Sequence, residues 1–458
     1  MTTTTVEDLS PKLRYQMFKW YYENNGLYNE ISRQMFGIDT WEDDIKPIRN
    51  PVHRVVEFYP ATLWAGTLPA ALPIVATNSK IIAPIQKVWE WSNWGAKKQT
   101  AARWFARDGD LFIKAAATDD KKKVFFQLIE AEYVTDFKAD ERGYLTFIRI
   151  DTPVVRDGKA LTRTEVWDKT AMLYRVWEHD KGDDAPLDKL PTPIEKKVFG
   201  DFGIDFIPIV HTKFADVGDL RGVNAFAHAL DKIDEANLVA SRLHEILFPE
   251  EVLALKANGM DASGRPLPPP SVSKNSDGNV EVGRKSIMRL PGNSSAEWLI
   301  PNLNFAGQLS VLQDHMRELE NDLPELAYYR LKELNQVTGP AVRLMLSDAI
   351  AKAMEARGNI ETALARADAM ALTMGSGLGL FKGIGEYANG DFEHSFAERD
   401  IIPMTEADKA QLMVSLTTAK VPTATAARVV GWNDERLAQM EKDMAAEAEM
   451  AATNFDRG

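Results

Sequence analysis

Residues that could support catalysis or metal binding are scattered through this sequence. Its seven histidines form no cluster with metal-ligand spacing, and His244-Glu245 lacks the second histidine of a zinc-protease motif. The glycine-rich run GSGLGLFKGIGE, residues 375–386, invites comparison with a phosphate-binding loop. It follows a predicted helix, whereas the dinucleotide fingerprint follows a strand, and its spacing matches no nucleotide motif. We therefore interpret it as a flexible turn.

Loop carboxylates are the remaining candidates for magnesium binding or acid–base catalysis. They are Asp216, Asp219 and the pairs Asp43-Asp44 and Asp183-Asp184. Carboxylates at such spacings commonly cap helices or face solvent, and this is the interpretation we favour. The sequence contains neither cysteine nor a G-x-S-x-G nucleophile elbow. It therefore predicts no catalytic residue, no metal site and no cofactor, and we expect a protein that is not an enzyme.

A tryptophan-rich stretch, VWEWSNWGAKKQTAARWF at residues 88–105, has the composition of a base-stacking platform. Its aromatic and basic residues, with one further arginine just beyond it, are Trp89, Trp91, Trp94, Trp104, Lys97, Lys98, Arg103 and Arg107. The interpretation we favour is a helix packed against a sheet, with a basic face in solvent. Trp91 and Trp94 are three residues apart, so both would lie on one face of a helix predicted from Ile82 to about Asp108.

The overall composition restricts the function. The 458 residues carry a net charge of -13, with a pI near 5.2, and the absence of cysteine excludes disulfides and thiolate zinc sites. An acidic protein is unsuited to gripping nucleic acid statically, but it can let DNA slide past. The N-terminus has no signal-peptide pattern, and the most apolar window, residues 62–77, is too short and too proline-rich to span a membrane. We expect a protein made in the cytosol.

The elements of the first half predict an α+β body. Ser10-Pro11 and Asn25-Gly26 bound a first helix, and prolines and glycines, including Pro60, should break the aromatic segment at residues 50–69. After the helix from Ile82, strand-like runs dominate up to Val210. Their alternation and β-branched content are typical of antiparallel strands with one solvated face.

The second half is predicted to be mainly helical. A long helix before Pro249 has an apolar stripe too narrow for a globular core: Val223, Phe226, Leu230, Ile233, Leu238 and Leu247. A proline- and glycine-rich module follows, in which KSIMRL and AEWLIP flank Pro291-Gly292 as a plausible hairpin. A helix at residues 304–323 returns from this module, so that two antiparallel helices would form a stalk.

Further helices are predicted after the stalk. One should run from about Pro340 to Met374 with a kink at Gly358-Asn359. Three short helices should follow Pro403, with Thr405, Thr423 and Asn433 as caps and Gly431 closing the second.

Between the stalk and the helix from Pro340 lies YYRLKELNQVTGP, residues 328–340. It begins as a weak helix, is aromatic, basic and amide-rich, and breaks at Thr338-Gly339-Pro340. We interpret it as a moving segment. The alternative is a buried helix connector in which Arg330 pairs with Glu325 or Glu333.

The order of these parts resembles the portal proteins of tailed double-stranded-DNA bacteriophages, of the long-tailed type. The stretches that carry the resemblance are NPVHRVVEFYPATLWAGTLP, ARDGDLFIKA, IPIVHTKF, GVNAFAHALDKIDEANLVASRLHEI, LPELAYYRLKELNQVTGPAVRLMLSDAIAKAME and TTAKVPTATAARVVGWNDERLAQMEKDMAAE. They span nearly the whole chain. The resemblance lies in the order of the segments and in their general residue pattern, without an invariant catalytic motif.

The resemblance implies an α+β portal fold assembled as a ring of about twelve subunits. The implied domains are a wing (1–218 and 340–402), a first stem helix (219–248), a clip with a β-hairpin (249–302), a second stem helix (303–323), a tunnel loop (324–339) and a helical crown (403–458).

The implied function is that of a channel at one capsid vertex of the virion, assembled in the host cytoplasm. The ring would pass double-stranded DNA without reading its sequence and would bind the terminase large subunit, the major capsid or scaffolding protein and later the head-tail connector. It would have no membrane partner, and ATP hydrolysis would belong to the motor. The competing hypotheses are a minor head or scaffold protein without a channel and, less favoured, a metal-dependent enzyme.

The implied site residues fall into three groups. DNA would meet the tunnel loop at Tyr328, Tyr329, Arg330, Lys332, Asn335 and Gln336; Gly339 and Pro340 would form the hinge; Met288 and Trp298 would bind partners on the clip, unless they form its own core. Carboxylates would line the stem and repel phosphate: Asp231, Asp234, Glu235 and Glu245 against Lys232 and Arg242, then Asp314, Glu318, Glu320 and Asp322 against Arg317.

Overall fold

The computed structural model describes residues 10–24, 50–64, 74–182, 185–247, 255–258, 265, 295–298, 305–331, 344–399, 401, 406–430, 432, 437–440 and 442–444. Within these ranges, helices pack against antiparallel sheets, so the predicted α+β class is confirmed. None of the described helices is both long and apolar enough to cross a membrane.

The first two helices follow local signals. Helix α1 (Pro11–Glu23) is capped by the Ser10 hydroxyl, which accepts the Leu13 N–H at 3.4 Å, and it ends at Asn24 in the left-handed conformation. The predicted start is confirmed, and the end comes before the predicted Asn25-Gly26. Helix α2 (Val52–Thr62) continues through Pro60, so the predicted break there is wrong. Pro60 lies in the last turn, where it removes one backbone hydrogen bond without ending the helix.

The single helix predicted from Ile82 to Asp108 is two helices, α3 (Ile82–Trp91) and α4 (Trp94–Asp108). Asn93 has a φ of 51°, and the Ser92 hydroxyl accepts the Phe126 N–H at 2.8 Å, which ties the break to a neighbouring strand. The break also separates the two tryptophans predicted to share a face. Trp91 stacks on Phe381, whereas Trp94 is buried edge-on against Trp64 and Phe126.

The predicted antiparallel strands form two main sheets. The three-stranded sheet has the order β3-β2-β9, from β2 (Asp110–Ala117), β3 (Val124–Ile129) and β9 (Ile209–Lys213). The five-stranded sheet runs β4 (Val134–Ala139), β5 (Leu145–Arg156), β6 (Lys159–Asp168), β7 (Leu173–His179) and β8 (Glu195–Val198). The described strand β1 (Ile74–Ala76) pairs separately with β12 (His394–Phe396).

A long helix, α8 (Ser347–Gly377), crosses the three-stranded sheet and contacts β2 and β9. Its buried face is rich in alanine, which lets the helix approach the strands closely: Ala349, Ala353, Ala356, Ile360, Ala363, Leu364 and Ala367. The helix is continuous through the predicted kink at Gly358-Asn359, where the Asn359 amide donates to the carbonyls of Lys213 and Phe214. The predicted start at Pro340 lies outside the described residues.

The C-terminal region contains helices α9 (Glu406–Thr418) and α10 (Thr423–Val429). Pro422 occupies the cap position of α10 and offers no side-chain oxygen, so the prediction that Thr423 caps this helix is wrong. Thr423 is instead its first residue. The other predicted caps, Thr405, Gly431 and Asn433, lie outside the described residues.

The backbone of Gly109, just after α4, lies close to residues 222–224, which precede α5 (Leu230–Leu247). Comparing Gly109 with Gly203, another glycine with positive φ, tests this close contact. A Cβ on Gly109 (φ 83°) would lie 2.8 Å from the Asn224 nitrogen, whereas a Cβ on Gly203 (φ 69°) would meet nothing within 4 Å. Gly203→Ala should therefore lower the free energy of unfolding only by the cost of the left-handed conformation, about 1–2 kcal/mol. Gly109→Ala should cost about 1–3 kcal/mol more, because it adds overpacking. Urea unfolding of both variants measures the difference, and equal losses would contradict the close approach.

Candidate functional site: the helical hairpin and the segment that follows it

Two helices form the predicted stalk, α5 (Leu230–Leu247) and α6 (Phe305–Asp322). The Lys232 ammonium lies 2.6 Å from the Asp322 carboxylate, and Glu235, further along α5, lies 3.8 Å from His315, earlier on α6. The reversed order of these pairs confirms that the two helices are antiparallel. We call α5 and α6 the hairpin.

The first stem helix was predicted to begin at Asp219, and this is wrong. Regular α-helix starts at Leu230, after one 3-10 turn at Ala227–Ala229. Residues before it adopt turns because the Gly222 N–H donates to the buried Asp110 carboxylate and the Asn224 side chain accepts the Phe226 N–H. The second stem helix has nearly its predicted bounds.

The hairpin has a narrow hydrophobic seam. Its positions are spaced three and four residues apart, as in a coiled coil. The buried residues of α5 are Leu230, Ile233, Ala236, Asn237 and Ala240. The seam of α6 comprises Leu312, Met316, Leu319 and Leu323, of which Met316 is half-buried and Leu323 follows the helix end. Of the predicted stripe, Leu230 and Ile233 are buried here. Val223 and Phe226 precede the helix, Leu238 is only half-buried, and the side chain of Leu247 lies outside the described residues.

The faces outside the seam are acidic and partly apolar. Asp231, Glu235, Asp314 and Glu318 are exposed, as predicted for a lining that repels phosphate. Asp234 does not belong to that surface, because it accepts hydrogen bonds from the Tyr21 hydroxyl at 2.8 and 2.9 Å. The side chains of Arg242 and Glu245 lie outside the described residues.

One buried carboxylate holds the corner where the hairpin returns to the body. Glu325 Oε1 accepts the Tyr59 hydroxyl at 2.5 Å and lies 2.8 Å from the Lys352 ammonium, which also donates to the Ala225 carbonyl at 2.7 Å. Burial and the neighbouring Glu325 raise the pKa of Tyr59 well above its usual value. Glu325 therefore joins α2, the corner, α8 and the segment before α5.

The segment that follows the corner begins as helix α7 (Leu326–Leu331), packed against α2. The Tyr328 ring meets Phe58 edge-on at 5.7 Å, and the Tyr329 hydroxyl donates to the Arg54 carbonyl at 2.9 Å. Burial raises the pKa of Tyr329. Arg330 pairs with Glu320, and Glu325 pairs with Lys352, so the predicted alternative pairing of Arg330 with Glu325 is wrong. Glu333, the other predicted partner, lies outside the described residues.

Most of the other predicted site residues lie outside the described part of the chain. Lys332, Asn335, Gln336, the hinge residues Gly339 and Pro340, and Met288 lie outside the described residues. Trp298 ends strand β11 (Ser295–Trp298), which pairs with β10 (Leu255–Asn258); its side chain is not described. The predicted strand AEWLIP thus overlaps β11, while KSIMRL lies outside the described residues. The DNA, hinge and partner roles of these residues stay predictions.

The basic residues of the tryptophan-rich stretch do not form the predicted solvent-facing basic surface. Lys97 donates to the Phe126 carbonyl, Lys98 is buried beside Trp64, Arg103 pairs with Glu57, and Arg107 pairs with Asp108. The favoured packing role of the tryptophans is supported by the burial of Trp89 and Trp94.

Several histidines have structural partners. His211 lies 2.6 Å from Asp110, and His179 lies 2.8 Å from the Thr164 hydroxyl. His394 lies 3.2 Å from Asp368, which also accepts the Trp89 indole N–H. Burial raises the pKa of Asp368 to about 6. Burial lowers the pKa of His394, but the hydrogen bond to Asp368, the charge of Asp368 and the Phe392 carbonyl together raise it above its usual value.

The described residues hold no group of three or more histidine or acidic side chains suited to a metal ion. Asp216 instead accepts from Lys213 and from the Gly218 N–H, as expected of a loop carboxylate. The glycine-rich run begins in the last turn of α8 and continues as turns, and Phe381 packs directly on Gly375.

No protein-family model and no curated protein matches the chain. Solved structures similar to it include a chain from the neck of an empty GTA particle computed with C6 symmetry (11% identity, TM-score 0.44, covering 86% of this chain and 95% of that one). A second is from the neck of a native GTA particle computed with C12 symmetry (11% identity, TM-score 0.41, covering 83% of this chain and 89% of that one). A third is from the virion of a native gene transfer agent particle (13% identity, TM-score 0.43, covering 86% of this chain and 95% of that one). With TM-scores below 0.5, these similarities do not assign a function to the chain.

The corner carboxylate should matter far more to stability than a neighbouring exposed one. Glu325→Ala removes the partner of a largely buried ammonium and should lower the free energy of unfolding by about 3–5 kcal/mol. Glu320→Ala breaks the more exposed pair with Arg330 and should cost about 0–1 kcal/mol. Urea unfolding followed by tryptophan fluorescence compares the two variants.

A double-mutant cycle separates the ion pair from the rest of the site. The double variant Glu325→Ala with Lys352→Met should lose less free energy of unfolding than the sum of the two single variants, by about 1 kcal/mol or more. The reason is that neither charge then remains without its partner. Strict additivity would show that the two groups are not coupled.

Proposed function

We propose that this chain is a portal-type subunit of a tailed bacteriophage, forming a ring-shaped channel for double-stranded DNA at one vertex of the virion. The observation that carries the proposal is the hairpin. Among the hairpin residues whose burial is described, the seam buries one stripe on each helix and leaves exposed carboxylates and an exposed valine, Val311, outside it. Helices gain most of their stability from packing, so contacts with neighbouring copies would complete this element.

The charge of the hairpin suits a channel through which DNA moves. Its exposed carboxylates, Asp231, Glu235, Asp314 and Glu318, would repel phosphate and keep the duplex from adhering. Arg330 and Lys332 would supply a local cationic contact on the segment that follows. Such contacts act on the phosphate backbone and carry no sequence preference.

The proposed partners follow from the resemblance of the sequence to portal proteins. The ring would bind the terminase large subunit during packaging and the head-tail connector afterwards, with Met288 and Trp298 as contacts on the clip. It would also bind the major capsid or scaffolding protein during assembly in the host cytoplasm. We propose no enzymatic activity for the chain, since hydrolysis of ATP would belong to the terminase motor.

Imaging of the purified protein tests the ring. Negative-stain micrographs and native mass measurement should show a closed ring with a central hole wide enough for a duplex. A monomer or a filament would contradict the proposal and favour a structural protein without a channel.

A surface variant tests whether the hairpin takes part in assembly. Val311 is 49% exposed and lies outside the seam, so Val311→Lys should leave the subunit folded but shift the ring toward smaller species. Met172→Lys, at an exposed methionine in the turn between β6 and β7, is the matched control and should leave the ring unchanged. Equal assembly of both variants would exclude Val311 from a subunit contact.

The DNA contact requires a separate test. Arg330→Ala combined with Lys332→Ala should reduce the amount of packaged DNA while rings still form, because only the local cationic contact is removed. Quantification of DNA in assembled particles, with Lys169→Ala in the β6–β7 turn as a control, measures the effect. Normal packaging with intact rings would show that these residues do not act on DNA.

A further inference from the structure

A cavity of about 710 Å³ lies on the side of α8 that faces strand β12, away from the hairpin. Its walls come from α8, the 3-10 turn at Tyr387–Asn389, strand β12 and the residue that precedes β5. The floor is apolar, with Ala369, Met370, Phe392 and Phe396, while the rim carries Arg366 and two tyrosines. This is the arrangement of sites that bind a ligand with one apolar and one polar end.

The charged groups in and behind the wall are mostly neutralised within the protein. Glu361 pairs with Arg399, and His394 pairs with Asp368. Arg366 differs from them, because it forms no ion pair with any residue in the described ranges. Its guanidinium lies 5.0 Å from the centre of the Tyr144 ring and close to Gly143. A half-buried guanidinium with free donors favours an oxyanion.

The tyrosines add a further donor. The hydroxyls of Tyr144 and Tyr387 lie 3.0 Å apart, and since one donates to the other, the second keeps its own proton for a ligand. Tyr144 is held in place because the Asp140 carboxylate accepts its backbone N–H at 2.9 Å. Arg366 and the tyrosine pair therefore present donors at the rim of one cavity.

The balance of charge favours a singly charged ligand. The rim also carries Glu393, an exposed carboxylate without an ion pair among the described residues, which opposes Arg366. A phosphate ligand with two negative charges would be repelled by Glu393 more strongly than a carboxylate ligand with a single charge. A free inorganic ion would also leave the apolar floor uncovered.

We propose that this cavity binds a ligand in which one carboxylate lies next to an apolar group. The carboxylate would accept from Arg366 and the tyrosine pair, and the apolar group would cover Met370, Phe392 and Phe396. This surface is separate from the hairpin, so the proposal does not depend on the channel function.

The probe is N-acetylphenylalanine, which carries one carboxylate beside one apolar ring. Saturation-transfer NMR on the full-length protein suits a large assembly, and it should show binding of this probe and not of its neutral amide. Arg366→Gln should weaken binding about tenfold or more, as expected on loss of a charged hydrogen bond. Tyr387→Phe, at a half-exposed site where folding is not at risk, should weaken it about two- to tenfold.

Two further variants test the direction of the charge effects. Glu393→Gln should tighten binding, since it removes the opposing carboxylate. Arg142→Gln is the matched control: its guanidinium lies 5.4 Å from the same Tyr144 ring but pairs with Asp140 and does not line this cavity, so binding should not change.

Three outcomes would overturn the proposal. One is equal binding of the acid and its amide, and another is unchanged binding in both Arg366→Gln and Tyr387→Phe. The third is preferential binding of inorganic phosphate or thymidine 5′-monophosphate over N-acetylphenylalanine, which would identify a phosphate site instead.

Discussion

The width of the hairpin seam is the constraint on which the proposed assembly depends. Positions spaced three and four residues apart place one narrow stripe of each helix against the other, and most of the other described side chains of the hairpin are exposed or half-buried. Carboxylates such as Asp314 and Glu318 are stable in water, but Val311 gains nothing there. In the proposed ring, contacts with neighbouring copies would cover this residue and complete the hairpin.

Buried carboxylates anchor this hairpin and the body from which it extends. Glu325 ties the corner to α2 and α8, and Asp110 accepts from Tyr15 and the Gly222 backbone while contacting His211. Asp368 joins α3, α8 and β12 through Trp89 and His394. Each links segments far apart in sequence. Asp110 and Asp368 use both carboxylate oxygens in these contacts, whereas Glu325 uses Oε1 and its buried Oε2 has no partner among the described residues. Groups that a search for catalysis would single out thus serve to hold the architecture.

Local and periodic signals explain what could be predicted from the sequence. The Ser10-Pro11 start, the alternating strands and the second stem helix depend on residues close together in the chain, and the structure confirms them. The break at Ser92-Asn93 could not be found in this way, because the strand residue Phe126 helps to fix it. The absence of the basic face predicted for α4 also could not be foreseen from the local sequence, because Arg103 pairs with Glu57 on another helix. Glu325 gave no local sign of its role, because Tyr59 and Lys352 meet it only in the folded chain.

The distribution of charge suggests how one surface could both repel and touch DNA. At physiological ionic strength the screening length is about 8 Å, so repulsion from the hairpin carboxylates acts only when a duplex comes close to them. In the proposed ring it would therefore prevent adhesion to the wall without opposing entry from a distance. Arg330 follows the corner fixed by Glu325 and pairs with Glu320, which partly offsets its charge. In the proposed ring, a cation held in this way would offer phosphate a weak and local contact, and weak contacts would allow DNA to move.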